Sequence, residues 1–142
     1  GMSMAAFALA EDQAVELLPG AIVIPGGTKV EVDQPTGLEY VLHGNGAALT
    51  VKEGAVVNNV TGRAAGGVLK IQGGDVEQKV SGSGVEAAVL LMAGRLEAEQ
   101  ALIIGTTKPG VDLQNVGGKR AFADIVSSSV LGRGNRGQTW KQ

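Results

Sequence analysis

The sequence predicts an all-β fold in which short strands stack in successive coils, as in a β-solenoid. Two observations support this prediction. Apolar residues and glycines recur at a fixed spacing between positions 46 and 104, and aromatic residues make up only 3% of a chain that is 44% apolar. A fixed period places each repeat against its neighbours. A narrow, layered interior also suits small and β-branched side chains better than large rings.

The repeat consists of columns of equivalent positions. Gly54, Gly74 and Gly94 are evenly spaced, 20 residues apart (74 − 54 = 94 − 74). Because equivalent positions recur at constant spacing, we expect each strand to pair in parallel with the strand one coil later. Antiparallel hairpins would instead pair these positions in reverse order. The apolar columns, expected to point inward, are Leu49, Leu69 and Val89; Val51, Ile71 and Leu91; and Val56, Val76 and Leu96. The residues expected to point outward are Thr50, Lys70, Glu77 and Glu97.

Residues 1–19 are predicted to be a short N-terminal capping helix. Ser3 is a typical helix cap, and Pro19 ends the segment together with the glycine that follows it. We expect a helix over 3–18 to cover the open end of the stack, which otherwise presents apolar surface and unpaired strand edges. Residues 8–10 have the small-x-small form of a signal cleavage site, but the helix is the preferred interpretation because no basic residue precedes a short apolar stretch.

Residues 20–116 are predicted to form the solenoid, as a single domain of about four to six coils. Strands are expected at 21–24, 29–32 and 38–42 and then in each repeat. Glycines are placed at the corners, where a positive φ is cheap only without a Cβ atom. The pattern fades after Ile104, where 111–116 is one more candidate strand and 121–126 is either a short helix or a last strand.

Residues 117–142 are predicted to be a basic capping or linker tail. This segment contains five Lys and Arg residues against Asp124 alone, whereas residues 1–104 contain six against twelve acidic residues. Without apolar columns the tail is not expected to extend the solenoid for long. We expect Phe122, Ile125, Val126 and Val130 to fold over the last coil or over the same end of a second molecule. Self-association through the solenoid ends is therefore expected.

No catalytic, metal or cofactor site is predicted. His43 is the single histidine and cysteine is absent, which excludes histidine-based and thiolate metal sites. Glu97 and Glu99 share one strand face, and Glu77 lies one repeat earlier. Stacked carboxylates can bind Ca²⁺ or hydrolyse sugars, but a solvated strand face has the same pattern and is the preferred interpretation.

The candidate binding residues are Arg133, Arg136 and Trp140. A tryptophan beside cationic side chains can stack on a base or a sugar, although a lone aromatic residue in a loose tail is also suited to packing on a neighbouring chain. The net charge of −2 gives no strong attraction to nucleic acid. No apolar run approaches the ~20 residues of a membrane span. Neither nucleic-acid binding nor a membrane span is therefore expected.

The stretch 46–61, followed by 66–71 and the pair Gly73-Gly74, resembles the passenger repeats of autotransporter adhesins and filamentous-haemagglutinin-like proteins. Those families alternate a Gly-x-Leu-x-Val strand, a Gly-Gly turn and an Asn/Thr/Val strand. The resemblance implies a right-handed parallel β-helix that is exposed on a bacterial surface and used for adhesion. Residues 137–140 also resemble a short element near the distal domains of phage tail-fibre proteins, which use β-helical stalks.

The expected function is a non-enzymatic structural or adhesion module of a bacterial surface or secreted adhesin, with a glycan or host-surface ligand. Two alternatives remain open at this stage. One is a stalk segment of a phage or prophage tail fibre or tail spike. The other is a β-helical protein that binds or degrades polysaccharide. The expected location is the cell surface or the medium, with the virion or the cytoplasm as alternatives.

Overall fold

The computed structural model of the protein describes residues 20–78 and 87–133. Every regular element in these two ranges is a β-strand. The predicted helix over 3–18, Arg136 and Trp140 lie outside the described residues. The strands are β1 Ile22–Ile24, β2 Lys29–Val32, β3 Tyr40–Leu42, β4 Ala48–Lys52, β5 Val56–Val57, β6 Val60–Gly62, β7 Val68–Gln72, β8 Asp75–Glu77, β9 Val89–Leu91, β10 Gly94–Glu99, β11 Leu102–Ile104, β12 Val111–Leu113, β13 Asn115–Val116, β14 Lys119–Val126 and β15 Ser129–Leu131.

The strands form three sheets that the chain visits in the same order on successive passes. Sheet A has the order β1-β3-β6-β9-β12, sheet B the order β2-β4-β7-β10-β14-β13, and sheet C the order β5-β8-β11-β15. All ladders are parallel except the β13–β14 hairpin. We call each pass a rung: rung 1 is 20–39, rung 2 is 40–59, rung 3 is 60–88, rung 4 is 89–110 and rung 5 is 111–133. The predicted all-β fold with parallel pairing is confirmed.

The interior is built from aliphatic residues that lie level with one another from rung to rung. Leu49 pairs with Leu69, and Leu69 pairs with Leu96, and all three are fully buried. Successive side chains of a strand point to opposite faces, so alternate positions supply these inner rows. Eight of the nine residues expected to point inward are fully buried: Leu49, Val51, Leu69, Ile71, Val76, Val89, Leu91 and Leu96. The outward residues Thr50, Lys70, Glu77 and Glu97 are half-buried or exposed, as expected.

Val56 is the exception among the residues expected to point inward. It pairs with Asp75, while its neighbour Val57 pairs with Val76. Val57 is fully buried and Val56 is only half-buried. The step between rungs in sheet C is therefore 19 residues here (75 − 56). Because side chains alternate along a strand, a shift of one residue exchanges the inner and outer positions.

The predicted 20-residue spacing is wrong after rung 3. Leu49 and Leu69 are 20 residues apart, but Leu69 and Leu96 are 27 apart (96 − 69). Val89, expected level with Leu69, pairs instead with Val60 in sheet A. The column of Gly54, Gly74 and Gly94 also does not form, because Gly94 directly precedes Arg95, which pairs with Val68, and is therefore not level with Gly74. The extra residues of rung 3 lie between β8 and β9, where 79–86 are outside the described residues.

The parallel sheets continue past residue 116, where the solenoid was expected to end. Strand β14 pairs with β10 over six residues, Ala121–Val126 with Gly94–Glu99, and β15 pairs with β11. Ala123 and Ile125 supply the inner positions, while Phe122 and Val126 are exposed on the outside. The segment therefore forms rung 5 of the stack instead of folding over its end.

Gly94 marks a place where two rungs approach too closely for a side chain. Its φ is +91°, and a Cβ atom there would lie 2.6 Å from the carbonyl oxygen of Gly67 and 2.9 Å from that of Ala64. Gly117 also has a positive φ, +60°, but a Cβ atom there would have no described neighbour within 4 Å. Together with Gly118 (φ +79°) it forms the tight turn of the β13–β14 hairpin.

We predict that Gly94→Ala lowers the free energy of unfolding by about 2 kcal/mol or more, because the substitution combines left-handed strain with a backbone clash. Gly117→Asn is the matched control. It should change stability by less than about 0.5 kcal/mol, since Asn-Gly is a preferred pair in such hairpin turns. Urea unfolding followed by circular dichroism measures both effects. Equal stability of the two variants would contradict the close approach at Gly94.

Candidate interaction surfaces

Most side chains on the outer face of sheet A are buried, as those on its inner face are. The apolar inner residues belong to the hydrophobic core cluster or pack against it. The outer row consists of Val23, Val41, Thr61, Leu90 and Asp112. These side chains are no more than 9% exposed, except for Thr61, which is half-buried. Sheets B and C therefore supply the solvated outer faces of the stack.

The outer face of sheet B is a regular array of mostly polar side chains. Parallel strands lie about 4.8 Å apart, so residues in the same register form rows along the stack. The middle row contains Glu31, Thr50, Lys70, Glu97 and Asp124. The flanking rows contain Lys29, Ala48, Val68, Arg95 and Phe122 on one side, and Lys52, Gln72, Glu99 and Val126 on the other. We call this array the B face.

Ion pairs on the B face are exposed. Lys52 Nζ lies 3.5 Å from Glu31 Oε2, and Arg95 Nη1 lies 3.7 Å from Glu97 Oε2. Each of these four side chains is at least 41% exposed. Exposed pairs of this kind contribute only about 0–1 kcal/mol. The charges can therefore be redirected to a ligand at little cost to stability.

Two shallow depressions lie on the B face. One, of ≈ 620 Å³, is lined at rungs 1 to 3 by Lys29, Glu31, Ala48, Thr50, Val68 and Lys70. The other, of ≈ 220 Å³, is lined at rungs 3 to 5 by residues that include Lys70, Gln72, Glu97, Glu99 and Asp124. Lys70 borders both depressions. Amine, hydroxyl, amide and carboxylate groups thus follow one another on the B face along the stacking direction of the rungs, where they can hydrogen-bond to a ligand.

The carboxylates singled out from the sequence do not all come together. Glu97 and Glu99 share the B face as expected, and register adds Asp124 beside Glu97. Glu77 instead lies in sheet C, paired with Ile104. Within the described residues no group of three or more His, Asp or Glu side chains is arranged to hold a metal ion.

Asn58 and Asn59 hold the corner between sheets C and A. Asn58 Nδ2 donates a hydrogen bond to the Gly37 carbonyl oxygen at 2.6 Å. Asn59 is buried, and its Nδ2 donates to the Ala87 carbonyl oxygen at 2.9 Å. The two amides therefore tie rung 2 to rung 1 on one side and to rung 3 on the other.

Gln78 is a structural residue that the sequence analysis missed. Its side chain is buried, and its Oε1 accepts hydrogen bonds from the backbone N–H groups of Thr106 (2.7 Å), Thr107 (3.0 Å) and Lys108 (3.0 Å). Its Nε2 donates to Thr107 Oγ1 at 3.1 Å. One side chain of rung 3 thereby satisfies three consecutive amides of a turn in rung 4. The available signal was its inward position, two residues after the buried Val76.

Of the candidate binding residues Arg133, Arg136 and Trp140, only Arg133 lies in the described part of the chain. Arg133 is exposed, and its backbone N–H donates to the Lys108 carbonyl oxygen at 3.2 Å. Rung 5 presents a different aromatic and cationic pair. The Phe122 ring is 50% exposed, and the guanidinium carbon of Arg120 lies 6.0 Å from its centroid, at the limit of a cation–π contact. His43 is half-buried in a turn, where its backbone N–H donates to the Ile24 carbonyl oxygen.

No protein-family model matches this chain, and no curated protein or solved structure is significantly similar to it. Among the described residues, no helix is long and apolar enough to cross a membrane.

We predict that Gln78→Leu lowers the free energy of unfolding by about 1–3 kcal/mol. The substitution removes the acceptor of three backbone N–H groups in a partly buried turn, and an N–H group left without an acceptor where water cannot replace it costs about 1–3 kcal/mol. Gln78→Glu is the matched control. It keeps the acceptor oxygen and should stay within about 1 kcal/mol of the parent at neutral pH. Chemical denaturation measures stability, and hydrogen exchange should show lost protection at 106–108 only in the Leu variant. Similar behaviour of the two variants would refute the role of Oε1.

Asp75 gives a pH-dependent prediction. Burial raises the pKa of its carboxyl group above the usual 3.8. A raised pKa means that the folded state disfavours the ionised form, so this group lowers stability at neutral pH and the penalty disappears as the pH falls through the folded-state pKa. Asp75→Asn should therefore raise the denaturation midpoint at pH 7 more than at pH 3.5. Glu53→Gln, at an exposed turn, is the control. A gain that is independent of pH would contradict the assignment to Asp75.

Proposed function

We propose that this chain is a non-enzymatic structural and adhesion module of a bacterial surface or secreted adhesin, wound as a right-handed parallel β-helix. The observation that carries the proposal is the cyclic order of the sheets, with parallel pairing from rung to rung over five rungs in sheets A and B and over rungs 2 to 5 in sheet C. Right-handedness follows the strong preference of connections between parallel strands of one sheet. The bacterial surface location rests on the resemblance of residues 46–74 to adhesin repeats.

A structural role fits the way the rungs contact one another. Each rung pairs with the one before and the one after it, so stiffness grows along the stack by repetition. Five rungs at about 4.8 Å give a ladder roughly 20 Å long. Repeating such units is a direct way to build a rigid spacer that keeps its faces in constant orientation.

An adhesive role is supported by the B face. Its two depressions meet at Lys70 and follow the stacking direction, so a ligand that is itself extended and repetitive can contact both. A glycan chain has this shape, and its hydroxyl groups both donate and accept hydrogen bonds. The carboxylates, the Gln72 amide and the Lys70 amine offer matching partners.

Polysaccharide cleavage is the second candidate function. The observation that favours it is the presence of Glu97, Glu99 and Asp124 around one depression. Glycoside hydrolases use a pair of carboxyl groups on opposite sides of the scissile bond. On the B face, however, the carboxylates stand on an open surface and not across a cleft, so binding without turnover is the preferred function.

The test combines a glycan array with assays for the release of reducing ends. We expect retention of extended glycans without turnover. Lys70→Glu should weaken retention at least about tenfold, since it removes the cation common to both depressions and adds repulsion. Lys108→Glu makes the same charge change on an exposed turn outside the B face and should leave retention unchanged.

Three results would count against the proposal. Release of reducing ends would establish the enzymatic alternative. The absence of binding to any glycan would refute adhesion to carbohydrate. Equal losses in the Lys70 and Lys108 variants would show that net charge, and not the B face, controls retention.

A further inference from the structure

We propose that copies of this chain stack head to tail, with rung 5 of one copy placed on rung 1 of the next so that sheets A and B continue across the junction. This inference goes beyond the proposed function, because a structural or adhesive module can act as a monomer. The inference rests on two features that both ends of the described stack share, exposed apolar side chains and unpaired strand edges, and on one in which they differ, their charge.

The exposed large apolar side chains lie in the terminal rungs. Among the described residues they are Leu38 in rung 1, 41% exposed, and Phe122, Val126 and Leu131 in rung 5, 50%, 39% and 55% exposed. The middle rungs contribute none to this group. Exposed apolar surface that is confined to particular regions of a soluble domain indicates a contact site.

The hydrophobic core is covered only in part at both ends: Ile24 in rung 1 and Ile125 in rung 5 are fully buried, but other apolar residues of these rungs are not. Five apolar residues pack against the core cluster while remaining only partly buried, and all five belong to rung 1 or rung 5: Ile22, Val30, Leu113, Ala121 and Val130. In the middle rungs each inner row has a neighbour above and below. An additional rung at each end would give the terminal residues the same environment.

The backbone at the two ends is suited to accept that additional rung. Among the described strands, β1 and β2 pair on one side only, and so do β12, β15 and residues 122–126 of β14, beyond the part of β14 that the β13 hairpin covers. Such edges are templates for pairing with another chain. The β12, β14 and β15 edges at the rung 5 end run in the same sense as the β1 and β2 edges, so a second copy can join in parallel.

Charge favours unlike ends over like ends. Rung 1 contains one cation, Lys29, against three carboxylates, a balance of −2 (1 − 3). Rung 5 contains three cations against two carboxylates, a balance of +1 (3 − 2). Opposite charges steer the rung 5 end of one copy toward the rung 1 end of another, whereas two rung 1 ends repel.

Register brings two exposed apolar side chains close to each other at the junction. Leu131 pairs with Ile104, and Ile104 pairs with Glu77. The corresponding position in rung 2 is Asn58, one residue beyond Val57, and its backbone N–H donates to the Leu38 carbonyl oxygen at 2.8 Å. Asn58 therefore lies against the segment 37–39 of rung 1, which contains Leu38 and is at the opposite end of the stack from Leu131. Stacking in this register brings Leu131 of one copy close to Leu38 of the next.

The first experiment is sedimentation velocity of the full chain over a range of concentrations. A head-to-tail contact does not close on itself, so the sedimentation coefficient should rise continuously with concentration. Leu131→Glu should weaken the association at least tenfold. Thr50→Glu, which adds the same charge to a middle rung, should leave it unchanged. A full chain that is monomeric at every concentration would overturn the proposal.

The second experiment determines which ends meet. The chain has no cysteine, so introduced thiols are the only ones present. Under oxidation the double variant Leu38→Cys/Leu131→Cys should give a ladder of disulfide-linked oligomers, and an equal mixture of the two single variants should give a crosslinked dimer. Each single variant alone should remain uncrosslinked. A dimer formed by Leu131→Cys alone would overturn the head-to-tail arrangement in favour of joined rung 5 ends.

Discussion

The structure depends on one constraint: each rung must present its inner aliphatic residues at the level of those in the neighbouring rungs. Leu49, Leu69 and Leu96 illustrate it in sheet B, where backbone ladders hold fully buried side chains in one row. A single rung cannot bury these residues by itself, and each buried aliphatic side chain contributes about 1.5–3 kcal/mol only when a neighbour covers it. Register between rungs is therefore under stronger constraint than the length of any rung.

Length variation is accommodated at the corners. Rung 3 is longer than rung 2, and the β13–β14 hairpin adds residues to rung 5, yet the parallel ladders resume in register after both. Buried amide side chains stabilise these corners. Asn59 and Gln78 bond to backbone groups of the following rung, which compensates amides and carbonyls that the ladders leave unpaired. Irregular connections thus do not disturb the regular interior.

The same register determines the outer surface. Because inner and outer positions alternate, fixing Leu69 and Ile71 inside places Lys70 outside, between Thr50 and Glu97. The backbone ladders therefore set the spacing of the polar groups on the B face. Contacts among these groups contribute little, because their ion pairs are exposed and weak. A rigid array on a stack whose ends remain partly open is consistent with both parts of the proposal, adhesion along one face and assembly end to end.

The sequence by itself determined the fold class and most of the interior. The spacing of apolar residues between 46 and 104 was sufficient to predict parallel stacking, and eight of the nine residues predicted to point inward from it are buried. It did not determine the register beyond rung 3, because a long connection between β8 and β9 shifts the repeat and no local signal distinguishes Val89 in sheet A from a continuation of the Leu69 column. Rung 5 was missed because Ala121 and Ala123 are small and charged residues surround them. The B face and the role of Gln78 were decided only by tertiary structure, since both depend on residues that are far apart in sequence and become neighbours when separate rungs come into register.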